Sequence, residues 1–229
     1  MAPLLLLPGL SCTRELWDSV RAALPAGIAA QALEHAALED IDAIAADILA
    51  VAPPRFALAG FSFGGYVALA IAAQAADRIE RLALIATGTN ADSPEAAAGR
   101  KRLIEIAQSD YGSIDGRMTK FLLHPDHAED AATHEKRSRM SRDYGAARFV
   151  AQQRAAMGRP ARDAVLASIR VPTLVAVGRE DRITPLAQHE EMARRVPAAE
   201  LVVFEHCGHL APLEAPAELA GAISKWMMQ

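Results

Sequence analysis

Short, wholly apolar runs alternate with stretches of helical periodicity through the first third of the chain. Leu4–Leu7 is an unbroken apolar run closed by Pro8-Gly9, the pattern of a strand buried on both faces. Leu16, Trp17, Val20 and Leu24 recur at helical spacing around Arg14–Ala23, with Pro25 as the stop. A second strand, weak in β-formers, is expected near Ile28–Leu33. Ile41, Ile44, Ala45, Ile48 and Leu49 mark a helix closed by Pro53-Pro54. Phe56–Ala59 reads as a third strand that runs straight into Gly60-Phe61-Ser62-Phe63-Gly64-Gly65 and an alanine-rich helix to about Ala76. Leu82–Ala86 is the fourth strand.

From about Thr87 to Ser168 the rhythm changes to charged, helix-forming sequence poor in strand-like runs. Alternation then resumes with a strand at Pro172–Val177, a helix at Pro185–Arg195, a strand at Leu201–Phe204 and a closing helix at Pro216–Met228. Strands separated by helices imply right-handed crossovers and a parallel sheet covered on both faces. The expected architecture is therefore α/β, with about six parallel strands. Residues 1–87 and 169–229 form its core, and residues 88–168 form a helical cap inserted after the fourth strand.

Composition narrows the class. A length of 229 residues suits one domain with an insertion, and 52% apolar with 23% charged residues is enough to bury a full core. The net charge of −4 provides no basic field for a nucleic-acid backbone. Two cysteines, Cys12 and Cys207, make no disulfide framework, and no Cys/His cluster at ligand spacing suggests structural zinc. No apolar run approaches the roughly 20 residues of a membrane helix, and the first residues lack the basic start of a signal peptide. A compact, soluble, cytoplasmic protein is expected, with no membrane or nucleic-acid partner.

Gly60-Phe61-Ser62-Phe63-Gly64 fits Gly-x-Ser-x-Gly between a buried strand and a helix, the setting of a nucleophile elbow. A serine hydroxyl needs a base, and the base an orienting acid. Asp181 follows the fifth strand, with Glu180 beside it as the alternative acid. His209 follows the sixth, with His206 as the alternative base. All three positions fall at the carboxyl ends of strands, where open α/β sheets place their sites. An oxyanion hole needs two backbone N–H groups. Phe63 is expected to supply one, and Leu10, or failing it Ser11, the other, with Gly9 allowing the loop to turn. The remaining histidines, His35, His124, His127, His134 and His189, read as solvated side chains. Cys12 and Cys207 read as small buried packing residues.

These motifs resemble the α/β-hydrolase superfamily over nearly the whole chain: Leu4–Leu10, Gly60–Gly65, Val171–Asp181, and Cys207-Gly208-His209 followed by Glu214-Ala215-Pro216. The stretches Leu122-Leu-His-Pro125 and Gly158-Arg-Pro160 look like small bacterial carboxylesterases and enol-lactonases. The resemblance implies a serine nucleophile, a covalent acyl-enzyme, and neither cofactor nor metal. Three departures stand out. Pro8-Gly9 replaces the usual His-Gly of the oxyanion loop, whose histidine orders that loop. Ala32-Leu-Glu-His-Ala-Ala replaces the usual Asp-x-x-Gly-x-Gly. The family's two N-terminal strands are missing, so six strands are expected rather than eight.

The sequence thus predicts a serine hydrolase for a small carboxylic ester, thioester or lactone, with Ser62 as nucleophile, His209 as general base and acid, and Asp181 as orienting acid. The same triad is compatible with C–C bond hydrolysis, lyase or perhydrolase chemistry, and a catalytically idle binding module is the reading from another class. Residues 99–162 carry 13 Lys and Arg against 8 Asp and Glu, a net of +5, while the remainder carries 11 against 20, a net of −9. Such a segment would suit an anionic ester, an anionic lactone or an acidic carrier protein. Equally, a helical insertion with one wet face collects charges. Oligomeric state is not readable from the sequence.

Overall fold

A computed structural model of the chain describes residues 2–197 and 199–229, with the side chains of residues 115–117 outside that description. Six parallel strands form one sheet in the order β2-β1-β3-β4-β5-β6. They are β1 (Leu4–Leu7), β2 (Ala30–Ala32), β3 (Phe56–Phe61), β4 (Ile79–Ile85), β5 (Thr173–Gly178) and β6 (Ala199–Phe204). β2 is shorter than its sequence implied, because only Ala30, Gln31 and Ala32 pair with β1, at the edge of the sheet.

The two-residue period of a strand sorts these apolar runs into two cores. Leu4, Leu6, Ala57, Ala59, Phe61, Ala83 and Ile85 point to one face, where α1 (Asp18–Ala23) and the closing helix α10 (Pro216–Met228) contribute Val20, Leu219, Ile223 and Trp226. Leu5, Leu7, Phe56, Leu58, Leu82 and Leu84 point to the other. There α2 (Ile41–Val51) brings Ile44 and Ile48, α3 (Phe63–Gln74) brings Val67 and Ile71, and α9 (Leu186–Arg195) brings Met192. Local chemistry sets where these helices begin. The Asp40 carboxylate accepts the Ala43 N–H at 2.8 Å to start α2, whose end comes just before Pro53-Pro54. Helix α3 is buried nearly all round and alanine-rich, which lets it lie close against the sheet.

Between β4 and β5 stand α4 (Pro94–Asp110), α5 (Gly112–Leu122), α6 (Ala131–Tyr144), α7 (Ala146–Gly158) and α8 (Asp163–Ser168). Ala107, Ile114, Tyr144 and Phe149 make a small apolar cluster of their own, with Leu10 packed against it. The basic surplus of this segment has a structural use. Arg139 pairs with Glu15, Arg148 with Glu34 at 2.7 Å, Arg154 with Glu39 at 2.5 Å, and Arg162 with Asp42. These four acidic partners lie within residues 15–42, and Arg100 and Arg159 both pair with Asp92, so part of the charge contrast is that of surfaces facing each other. Pairs with at least one solvent-facing partner, as the first four have, contribute about 0–1 kcal/mol each. Among the described residues no helix is long and apolar enough to cross a membrane.

Candidate active site

Ser62 caps the N-terminus of α3 with φ 52° and ψ −114°, a left-handed conformation that a non-glycine residue adopts at a cost of about 1–3 kcal/mol. Close packing around the turn maintains it. A Cβ on Gly60 would strike the Gly64 backbone, and one on Gly64 would lie 2.7 Å from the Pro8 carbonyl oxygen. The Ser62 N–H donates to Ile85 at 2.9 Å, and its carbonyl accepts the Thr87 hydroxyl at 2.8 Å.

The turn points Ser62 Oγ at His209 Nε2, 2.9 Å away, and His209 Nδ1 lies 2.8 Å from Asp181 Oδ2. An ionised carboxylate only accepts, so Nδ1 carries the proton and Nε2 presents its lone pair to the serine hydroxyl. Burial by itself would raise the Asp181 carboxyl. His209, the Thr184 hydroxyl and the Thr184 N–H outweigh it and hold the group below its ordinary value. Asp181 Oδ1 also accepts the N–H groups of Ile183 and Thr184 at 2.8 and 2.9 Å. Glu180 and His206 stand apart from this chain of bonds: Glu180 accepts the Cys207 N–H at 3.1 Å, and His206 is exposed beside Asp126.

Sequence reasoning gave no role in the site to the residues that hold these loops. Glu214 accepts N–H groups from His124, Gly208 and Leu210 at 2.6, 3.0 and 2.9 Å, so one carboxylate fixes the backbone on both sides of His209. His189 and His35, expected in solvent, are buried at 0% and 3% exposure. His189 accepts the Thr87 N–H at 3.1 Å, and burial pushes its pKa down to about 4. His35 donates from Nε2 to the Pro8 carbonyl at 2.8 Å and sets its ring against Phe63, 5.3 Å between centroids. Burial lowers it to about 4 as well. The loop that lacks a His-Gly pair is therefore held by a histidine from the loop after β2. No local sequence signal marks either residue, because both are buried by segments distant in the chain.

The loop after β1 also differs from expectation in its turn. The left-handed residue is Ser11, at φ 56°, and Gly9 is needed for another reason: a Cβ there would meet the Phe61 ring at 2.8 Å. Arg137 of α6 donates to the Ser11 carbonyl at 2.8 Å, tying the loop to the inserted helices. Cys12 and Cys207 are both buried, and burial pushes the Cys207 thiol well up. Ser62, Phe63, Leu10 and His209 line one cleft of about 150 Å³ together with Leu103, Ile114, Met118 and Phe149. Arg100 also faces it, held by Asp92 at 2.6 Å and Gln153 at 2.7 Å.

A model of the alpha/beta hydrolase family matches residues 4–222. The chain belongs to the alpha/beta hydrolase family. Pimeloyl-[acyl-carrier protein] methyl ester esterase from Nitrosomonas europaea is 28% identical to this hydrolase over 200 residues, 79% of this chain and 74% of the relative. A 2-hydroxymuconate semialdehyde hydrolase from a Pseudomonas species is 29% identical over 184 residues, 75% of this chain and 62% of that one. The solved structure of a thermophilic esterase from Thermogutta terrifontis superposes with a TM-score of 0.89 at 29% identity, covering 100% of this hydrolase and 90% of the esterase.

Proposed function

We propose that this hydrolase cleaves a small carboxylic ester, thioester or lactone through an acyl-enzyme on Ser62. The observation that carries the reading is the run of two hydrogen bonds from Ser62 Oγ through His209 to a buried Asp181 at the floor of an apolar-walled cleft. Ser62 Oγ attacks the carbonyl carbon while its proton passes to His209 Nε2. The tetrahedral intermediate then collapses as His209 returns that proton to the departing alcohol or thiol. Water, deprotonated by the same nitrogen, attacks the acyl-enzyme and releases the acid. Asp181 keeps the ring in one tautomer and stabilises its charged form.

The N–H groups of Phe63 and Leu10 serve as the oxyanion hole in this reading. Phe63 opens α3, so its N–H lies at the helix end, where no carbonyl of the same helix stands one turn earlier. Residues 88–168 act as the cap, with α4, α5 and α7 walling the acyl side of the cleft. A fluorophosphonate probe should label the chain stoichiometrically, with the mass shift on the peptide containing Ser62. A site that stays unlabelled, or a label elsewhere, would count against the acyl-enzyme.

His35 is the positioning residue for the hole, since one neutral imidazole contacts both the Pro8 carbonyl and the Phe63 ring. His35→Phe keeps the ring contact and loses the bond. A lost hydrogen bond of about 0.5–1.5 kcal/mol, felt chiefly in the transition state, predicts a fall in kcat of roughly two- to tenfold with KM little changed. Steady-state kinetics on a p-nitrophenyl ester separates the two. A rise in KM at constant kcat would assign His35 to the substrate pocket instead.

A second reading, C–C bond hydrolysis, has support in the likeness to 2-hydroxymuconate semialdehyde hydrolase. It keeps the same three side chains. Comparing kcat/KM for a vinylogous diketone and a phenyl ester on one preparation discriminates the two.

A further inference from the structure

Among the described residues, His124, Asp126 and His206 each bring one potential ligand atom within 4.8 Å of the other two. They come from two places in the fold. His124 and Asp126 flank Pro125 in the turn that follows α5, and His206 lies in the loop between β6 and His209. The geometry points to a binding site for a divalent transition-metal ion of the zinc class, bridging these two loops.

The spacing supports this. Asp126 Oδ2 lies 3.2 Å from His206 Nδ1 and 3.4 Å from His124 Nδ1. Ligands about 2.0–2.1 Å from a tetrahedral ion stand about 3.3 Å apart, so two edges of the coordination polyhedron are already set. The chemistry at His124 points the same way. Its Nδ1 accepts the Asp126 N–H at 3.1 Å, so that nitrogen presents a lone pair. The carboxylate oxygen faces the same nitrogen, which leaves two acceptors side by side, a contact that a cation relieves. On binding, the imidazole gives up the cap bond of one short turn and gains a metal bond.

The donor set selects the ion. Two imidazoles and one carboxylate suit zinc, nickel, cobalt or copper, whereas magnesium and calcium prefer oxygen donors. The His124 side chain is 12% exposed and those of Asp126 and His206 are 62% and 77%, so solvent can fill the remaining positions. Glu180 Oε2, 3.9 Å from His124 Nε2, adds negative charge at the margin. His206 also holds a left-handed backbone at φ 53°, a conformation uncommon for a side-chain-bearing residue. A bound ion would link the turn after α5 to the loop leading into Gly208 and His209, whose N–H groups already bond Glu214 and Leu122.

The test is isothermal titration calorimetry of the untagged full chain with zinc chloride, beside thermal melts with zinc, nickel and magnesium. One zinc per chain with a low-micromolar Kd is expected, with Tm rising by roughly 5 °C at saturating zinc and unchanged in magnesium. Asp126→Asn and His206→Gln should each weaken binding at least tenfold, while hydrolysis in chelator-treated buffer stays at the wild-type rate. Ser62→Ala should bind zinc as the wild type does, which keeps this outcome independent of the acyl-enzyme. Zinc affinity untouched by either variant, or no saturable heat up to millimolar zinc, would overturn the assignment.

Discussion

Ser62→Ala is expected to remove the p-nitrophenol burst and lower kcat/KM on p-nitrophenyl esters by roughly 10⁴- to 10⁶-fold, because nucleophile and base act as one unit. Asp181→Asn should cost somewhat less, roughly 10³- to 10⁴-fold, for a reason visible in its partners. Asp181 Oδ1 accepts two backbone N–H groups, from Ile183 and Thr184, so an asparagine must keep its oxygen there. Its NH₂ then replaces Oδ2, facing the Thr184 hydroxyl and His209 Nδ1. Faced with a donor, the imidazole must accept at Nδ1 and carry its proton on Nε2, where it can no longer take one from Ser62. The double variant should be no worse than Ser62→Ala alone. Burst and steady-state rates on the three proteins check this. Ser62→Ala activity within tenfold of wild type would remove the serine from the chemistry.

The second large effect is on stability in mild acid. His35 and His189 are buried neutral, with pKa values pushed down from 6.5 to about 4. In the unfolded chain both recover the ordinary value. Between pH 6.5 and pH 4 the unfolded chain therefore binds more protons than the folded one, so stability falls as pH falls through that window. A window of this width is worth roughly 3 kcal/mol for each imidazole at most, against a total stability of about 5–15 kcal/mol for a domain. Asp181, held below its ordinary value, adds a loss in the same direction at still lower pH. Urea midpoints at pH 7, 5.5 and 4.5 should drop steeply. The pair His35→Gln and His189→Gln should start lower at pH 7 and decline less. Equal pH slopes in both proteins would mean that other groups drive acid unfolding.

The acid window and the geometry of the candidate site draw on different kinds of information. Unbroken apolar runs such as Leu4–Leu7, the prolines that stop helices, and the strand–Gly-x-Ser-x-Gly–helix succession are local signals, because strand burial and turn sterics act over a few neighbouring residues. They were enough to place the strands and the strand–turn–helix that carries the serine, while the order of the strands in the sheet came only from the tertiary structure. The weak strand near Ile28–Leu33 was blurred for a related reason: an edge strand of three paired residues has little pattern to show.

Between adjacent candidates the sequence preferred Asp181 to Glu180 and His209 to His206 without a local feature that separates them. Glu180 and Asp181, like His206 and His209, have the same chemistry within a few positions. The tertiary structure brings Asp181 and His209 to Ser62, because the Ile183 and Thr184 N–H groups wrap one carboxylate and Glu214 fixes the backbone around one histidine. Likewise, the basic surplus of residues 99–162 meets acids of residues 15–42, and His35 and His189 are buried by segments far away in the chain. Sequence by itself determined the elements and the residue types of the candidate site, since those follow from local periodicity and turn geometry. Which of those side chains meet, and which ones lose water, was decided by long-range packing that no local window contains.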